Sequence, residues 1–245
     1  MFFLTVFAFS STITKAASQI DVSPTSGEPA SSVHVEGAEF AASTSVGIGL
    51  GAEVTVAGEP ETVTDTGPGS DPRVMTGQTD KHPIKPGSFR WTENLGNQLV
   101  ENVDNGNGTF SSTTGMGYAY TNVINYTTGF FSSSTTLTIP TTIQSSTLNY
   151  TTYEFDVTPE SLRTNGSDML SGNFTVPDDI WNGPHTVTVI DEAGNMATTD
   201  FTVVGSGFIP EPLTVGAIVL LTSTAIAVSL YWLRKKPTNK IVKYN

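Results

Sequence analysis

The sequence predicts an all-β protein, an antiparallel sandwich with one helix after it. Three observations carry this. Between Gln19 and Gly207 apolar residues alternate with a period of two and no helical period is sustained. Asn-Gly pairs at Asn105-Gly106, Asn107-Gly108, Asn165-Gly166 and Asn182-Gly183 punctuate the alternation, as hairpin turns do. Leu213 to Leu233 carries no charge and is long enough for a helix of about 31 Å, matching a hydrocarbon core of about 30 Å.

In chain order, Phe2 to Phe9 is apolar and Ala16-Ala17-Ser18 offers small residues for cleavage, so 1–18 reads as a signal peptide, although nothing basic precedes Phe2. The chain has no cysteine, and an exported domain of this size must then be held by its core alone. The clearest strand starts at Val46. Val46, Ile48, Leu50, Ala52, Val54 and Val56 form one face, and Gly47, Gly49 and Gly51 leave bare backbone on the other, which permits close approach of another segment. That segment is either the chain's own inserted region or an assembly partner. Shorter alternations follow at Val33/Val35, Tyr118/Tyr120, Leu137/Ile139, Tyr153/Phe155/Val157, Val187/Val189 and Phe201/Val203.

Two segments resemble an IPT/TIG-type immunoglobulin-like domain. The opening, Gln19 to Phe40, has its strand, Pro-x-x-Gly turn, second strand and Gly-x-x-Phe, on Pro24, Gly27, Gly37 and Phe40. The closing part has Gly172 to Pro177, then Gly183 to Asn195, then Phe201 to Val204, similar to the final hairpin of such domains. The resemblance implies an immunoglobulin-like β-sandwich from 19–60 and 148–205, discontinuous in sequence. About 100 residues suffice for it. Residues 61–147 are then a β-rich insertion or a second small β domain. Its first part, Gly58 to Gly87, is rich in Gly, Pro and Asp and reads as a long loop.

All 23 acidic residues precede the apolar stretch. From Gln19 to Pro212 five basic residues face those 23, a balance of −18, whereas Arg234, Lys235, Lys236, Lys240 and Lys243 give the tail +5. Basic flanks stay on the cytoplasmic side, so 213–233 is expected to span the bilayer with the tail, 234–245, inside and the acidic body outside. The linker 206–212 contains Pro210-Glu211-Pro212. That motif, the apolar span and the cluster Arg234, Lys235, Lys236 together resemble the PEP-CTERM sorting signal of prokaryotic, in particular archaeal, surface proteins. The resemblance implies an exosortase or archaeosortase partner that cuts near the motif, although the tail runs on past the cluster. Without such cutting, the helix is a plain single-pass anchor.

No residue set points to catalysis. His34, His82 and His185 are scattered, and no Gly-x-Ser-x-Gly elbow or metal-binding His pair is present. The chain is read as no enzyme, and its acidic body disfavours nucleic acid. Asn102, Asp104 and Asn107 in one Gly-rich turn are weak calcium candidates, hard oxygens without the EF-hand spacing. No other cofactor is expected. Sequons place candidate glycosylation sites at Asn107, Asn125, Asn149, Asn165 and Asn173, all in the expected ectodomain. Trp91, Tyr118, Tyr120, Tyr126, Phe130 and Phe131 form either the insertion's core or a sugar-stacking platform. The expected function is a membrane-tethered structural or adhesive protein of the cell envelope, in a surface layer or matrix, with envelope proteins or glycans as partners. The alternative is a surface-anchored glycan- or calcium-binding module.

Overall fold

The structure, a computed structural model, describes residues 16–67, 70, 72–94, 99–112, 120–135, 143–159 and 161–205. Most of the expected signal peptide, the Pro-Glu-Pro motif, the apolar stretch and the basic tail lie outside the described residues. Among the described residues no helix is long and apolar enough to cross a membrane.

The described chain is all-β. Its strands are β1 (Gln19–Ser23), β2 (Ser26–Gly27), β3 (Ser32–Ala38), β4 (Val46–Pro60), β5 (Thr64–Asp65), β6 (Arg73–Gln78), β7 (Arg90–Asn94) and β8 (Leu99–Asp104). They continue as β9 (Phe110–Ser112), β10 (Tyr120–Ile124), β11 (Phe130–Thr135), β12 (Ser145–Asp156), β13 (Leu170–Thr175), β14 (Gly183–Asp191) and β15 (Met196–Val203). An eight-stranded sheet in the order β2-β15-β14-β4-β12-β7-β8-β9 runs through the molecule. A three-stranded sheet, β1-β3-β13, and a four-stranded sheet, β10-β11-β6-β5, complete it.

Two cores follow from the layers. The first joins Val33, Val35 and Phe174 of the three-stranded sheet to Ile48, Leu50, Val187, Val189 and Phe201 of the large one. Phe40 is fully buried here, packed over Gly37, where a Cβ would meet its ring at 2.8 Å. The second joins Met75, Ile124 and Phe131 to Trp91, Phe110, Leu148, Tyr150 and Ile190. Adjacent strand residues point to opposite faces. Val189 lies in the first core and its neighbour Ile190 in the second, so the two lobes pack on opposite faces of the shared sheet. The second core borrows Leu148, Tyr150 and Tyr153 from β12, and residues up to Val204 form one compact unit.

The long alternation of β4 changes face in the middle. Val46 to Gly51 are all buried, but Ala52 is exposed and Val54 and Val56 are half-buried. A register shift falls where Tyr153 pairs with Glu53 and Phe155 with Leu50. Gly51 sits there at φ +98°, a left-handed conformation that a side chain resists. The extra residue turns the even positions from the first core toward the second, where Val56 packs. Gly47 and Gly49 are filled from inside the chain. A Cβ on Gly47 would meet Pro83 at 2.7 Å, and one on Gly49 would strike the Tyr153 ring. The segment Gly58 to Gly87, expected as a loop, contains β6 at the centre of the four-stranded sheet, paired with β11 and β5. Its Arg73 is buried, which hides the strand from an apolar pattern.

Candidate functional site

Four places combine polar chemistry with a defined geometry: the β8–β9 turn, the polar part of the second core, the histidine contacts, and the sequons.

The β8–β9 turn holds the calcium candidates. Asp104 is nearly buried, and its carboxylate accepts from the Gly87 N–H at 2.6 Å, the Gly106 N–H at 2.8 Å and the Tyr126 hydroxyl at 2.6 Å. It therefore ties three loops together. Burial and the bond to Asp104 push the Tyr126 phenol far above its usual range. Asn107 Oδ1 accepts from the Thr109 hydroxyl at 2.6 Å and the Thr109 N–H at 3.2 Å, a local Asx turn. Asn102 lies below in the core, its amide donating to Glu93 Oε1 at 2.8 Å and to the Trp91 carbonyl at 3.3 Å. The three residues share a hairpin, but Asn102 points into the protein and Asn107 into the turn. Among the described residues no group of three or more His, Cys, Asp or Glu is placed to hold a metal.

The second core is apolar at one part and polar at another. Trp91 is fully buried and donates from Nε1 to Ser146 Oγ at 2.6 Å. Its ring lies 5.0 Å from Phe131 and 6.0 Å from Phe110. Trp91, Tyr126 and Phe131 are thus core side chains, and no stacking platform is formed by them. Tyr118 lies outside the described residues. Beside them stand Glu93, 4% exposed, and Arg73, which grips Asp65 through Nε–Oδ1 at 2.9 Å and Nη2–Oδ2 at 2.6 Å. Burial raises the Glu93 carboxyl to about 7, against the bond from Asn102. The Arg73 hydrogen bond holds Asp65 below the ordinary carboxylate range.

The histidines serve as struts. His82 Nδ1 approaches Asp156 Oδ2 at 2.7 Å in a cleft of about 370 Å³ between the lobes, lined also by Thr127, Ser161 and Arg163. The bond to Asp156 raises His82 above its usual value, against burial. Burial pushes Asp156 up, but the hydrogen bonds from His82 and Thr158 outweigh it and leave the carboxyl low. Residues 82 and 156 are far apart in sequence, so no local pattern announces the pair. His34 Nδ1 meets Asn173 Oδ1 at 2.7 Å across β3 and β13, and His185 Nε2 donates to the Trp181 carbonyl at 2.8 Å. Trp181 is 55% exposed, with its ring centroid 4.2 Å from that of His185.

The five sequons occupy different settings. Asn107 and Asn165 are exposed in turns, and Asn165 Oδ1 accepts from the Ser167 and Met169 N–H groups. Asn125 Oδ1 accepts from the Thr127 hydroxyl at 2.7 Å, but Thr127 is buried. Asn149 lies in β12 between two partner strands and accepts from the Gly58 N–H. Asn173 is exposed on β13. Pro210, Glu211, Pro212, Arg234, Lys235 and Lys236 lie outside the described residues. Compared with protein-family models, with curated proteins and with solved structures, the chain matches none of them.

Proposed function

We propose that the chain is a non-catalytic, membrane-tethered protein of the cell envelope that displays an acidic β-sandwich on the surface as a structural or adhesive component. The observation that carries this reading is the charge split: −18 over residues 19–212, an uncharged Leu213 to Leu233, and +5 beyond it. A disulfide-free all-β body with two apolar cores suits display outside the cell. Like charge on neighbouring bodies keeps them apart and hydrated. The finer reading is an IPT/TIG-type immunoglobulin-like sandwich with a PEP-CTERM signal at Pro210-Glu211-Pro212, processed by an exosortase or archaeosortase. Of the aromatics behind the sugar-platform alternative, Trp91, Tyr126 and Phe131 are buried and Phe130 is 42% exposed, which favours the structural reading.

Protease shaving of intact cells, followed by mass spectrometry of the mature termini, tests the proposal. Peptides from 19–205 are released from whole cells. Their recovery only after lysis refutes outward display, and an intact 213–245 segment on the mature protein refutes sortase-type removal.

A further inference from the structure

The sequons divide by their middle residue. In Asn125-Tyr126-Thr127, Asn149-Tyr150-Thr151 and Asn173-Phe174-Thr175 the middle residue is an aromatic ring at most 2% exposed. In Asn107-Gly108-Thr109 and Asn165-Gly166-Ser167 it is glycine, and the sequon lies in a turn. An oligosaccharyltransferase must wrap the three-residue acceptor in its own site. For the first group this requires a core ring to be pulled into water. For the second no core ring has to leave: at Asn165 an exposed loop yields, the cheapest kind of local opening, and at Asn107 Gly108 releases its bonds with the Tyr126 hydroxyl at 3.1 Å and the Ile124 N–H at 2.9 Å. Gly108 is at φ +80°, a left-handed conformation within the turn at Asn107. At both open sites, as at Asn125, the side-chain oxygen takes the turn's hydrogen bonds, and the carboxamide nitrogen, the atom that reacts, makes none among the described residues.

The two open sites also share a place. The β14–β15 turn is their common neighbour. A Cβ on Gly108 would lie 3.1 Å from the Glu192 carbonyl. Asn165 accepts from the Ser43 N–H at 3.1 Å, and the neighbouring Ala41 and Ser45 N–H groups bond Asp191 and Glu192. The chain leaves the sandwich at the other end of β14, where Gly183 pairs with Val203. Nine residues of strand separate the two ends, roughly 26 Å at the usual rise.

We propose that Asn107 and Asn165 are the sequons that accept an N-linked glycan on the folded chain, and that they place it at the end remote from Val204. The donor class is a lipid-pyrophosphate-linked oligosaccharide. The carboxamide nitrogen attacks the anomeric carbon, the C–N bond forms, the bond to the pyrophosphate oxygen breaks, and that oxygen leaves with the electron pair. The amide proton passes to a base of the transferase. Neither site assignment depends on the anchored reading above.

The test uses the full-length chain, purified in detergent from a non-glycosylating host, with a single-subunit oligosaccharyltransferase and that donor. Glycopeptide mass spectrometry reads occupancy at each site. Asn107 and Asn165 are modified at least about tenfold more than Asn149 and Asn173, because core strands open far more rarely than loop tips, and more than Asn125, which lies in the β10–β11 turn but needs the buried Tyr126 ring to leave the core. Synthetic peptides 144–154 and 168–178 are modified at Asn149 and Asn173, which shows that those sequons are competent once out of the fold. Thr109→Ala abolishes modification at Asn107 and Thr109→Ser retains it. Equal occupancy at all five sites, or none at Asn107 and Asn165 while the peptides react, overturns the proposal. Alkaline extraction of membranes from the same host tests anchoring separately, and its failure leaves the occupancy result standing.

Discussion

Asp191 is fully buried, and among the described residues four donors, not a salt-bridging cation, surround its carboxylate. Its carboxylate accepts from the N–H groups of Ala41, Ala193 and Asn195 and from the Asn195 side chain, at 2.7–2.9 Å. That is the physical content of the run Asp191-Glu192-Ala193-Gly194-Asn195: one carboxylate closes the hairpin and ties it to the loop before β4. Asp191→Ala strands these donors and is expected to cost about 3 kcal/mol, read as a lower urea midpoint at unchanged slope. Glu93 gives a pH signature. Its carboxyl is raised from an ordinary value near 4.5 to about 7, so the folded chain holds a proton that the unfolded chain has released. The stabilisation is complete below pH about 4.5 and is lost as pH rises through about 7. Raising the pH from 5 to 8 therefore lowers the urea midpoint, and Glu93→Gln flattens that part of the profile. His82, also raised, loses its contribution in the same direction, so the Gln variant keeps a smaller residual slope. Asp65 is shifted the other way. Asp65→Ala leaves the Arg73 guanidinium buried without its bidentate partner and is expected to cost about 3–5 kcal/mol, measured at pH 7 by urea unfolding.

At the scale of the element, β4 is the strand most legible in the sequence, and its legibility stops at one residue. Val46, Ile48 and Leu50 face the first core as alternation predicts. The period carries on through Val56, but the left-handed Gly51 reverses which core it addresses, and period alone does not register an inserted residue. The glycines on the opposite side were legible as close-approach positions, whereas the identity of the approaching groups, Pro83 and Tyr153, depends on pairing distant in sequence. Gly49→Ala pushes a methyl group into the Tyr153 ring and is expected to destabilise by about 1–3 kcal/mol, seen as a lower melting temperature. β6 was illegible for a different reason: its buried face carries Arg73, and a buried ion pair looks like surface in a hydropathy pattern. Of the candidate site, the Asn-Gly turns were readable, but Asn102 and Asp104 share one strand face pointing inward, so proximity in sequence did not make a shared ligand set.

At the scale of the molecule, the all-β class was readable from period and turns. The placement of lobes on opposite faces of one sheet was not, since it is decided by which neighbour in β14, Val189 or Ile190, meets which layer. The shared sheet has a mechanical consequence. If the chain is held at its C-terminal end and loaded at the far lobe, tension enters at β15 and crosses β14 to reach β4 and β12. Those two strands, of 15 and 12 residues, continue through both lobes, so no flexible hinge lies on that path. The load falls on many interstrand hydrogen bonds at once instead of one after another. A protein pulled in this way is expected to lose both cores in one event, seen as a single force peak on stretching and not as two.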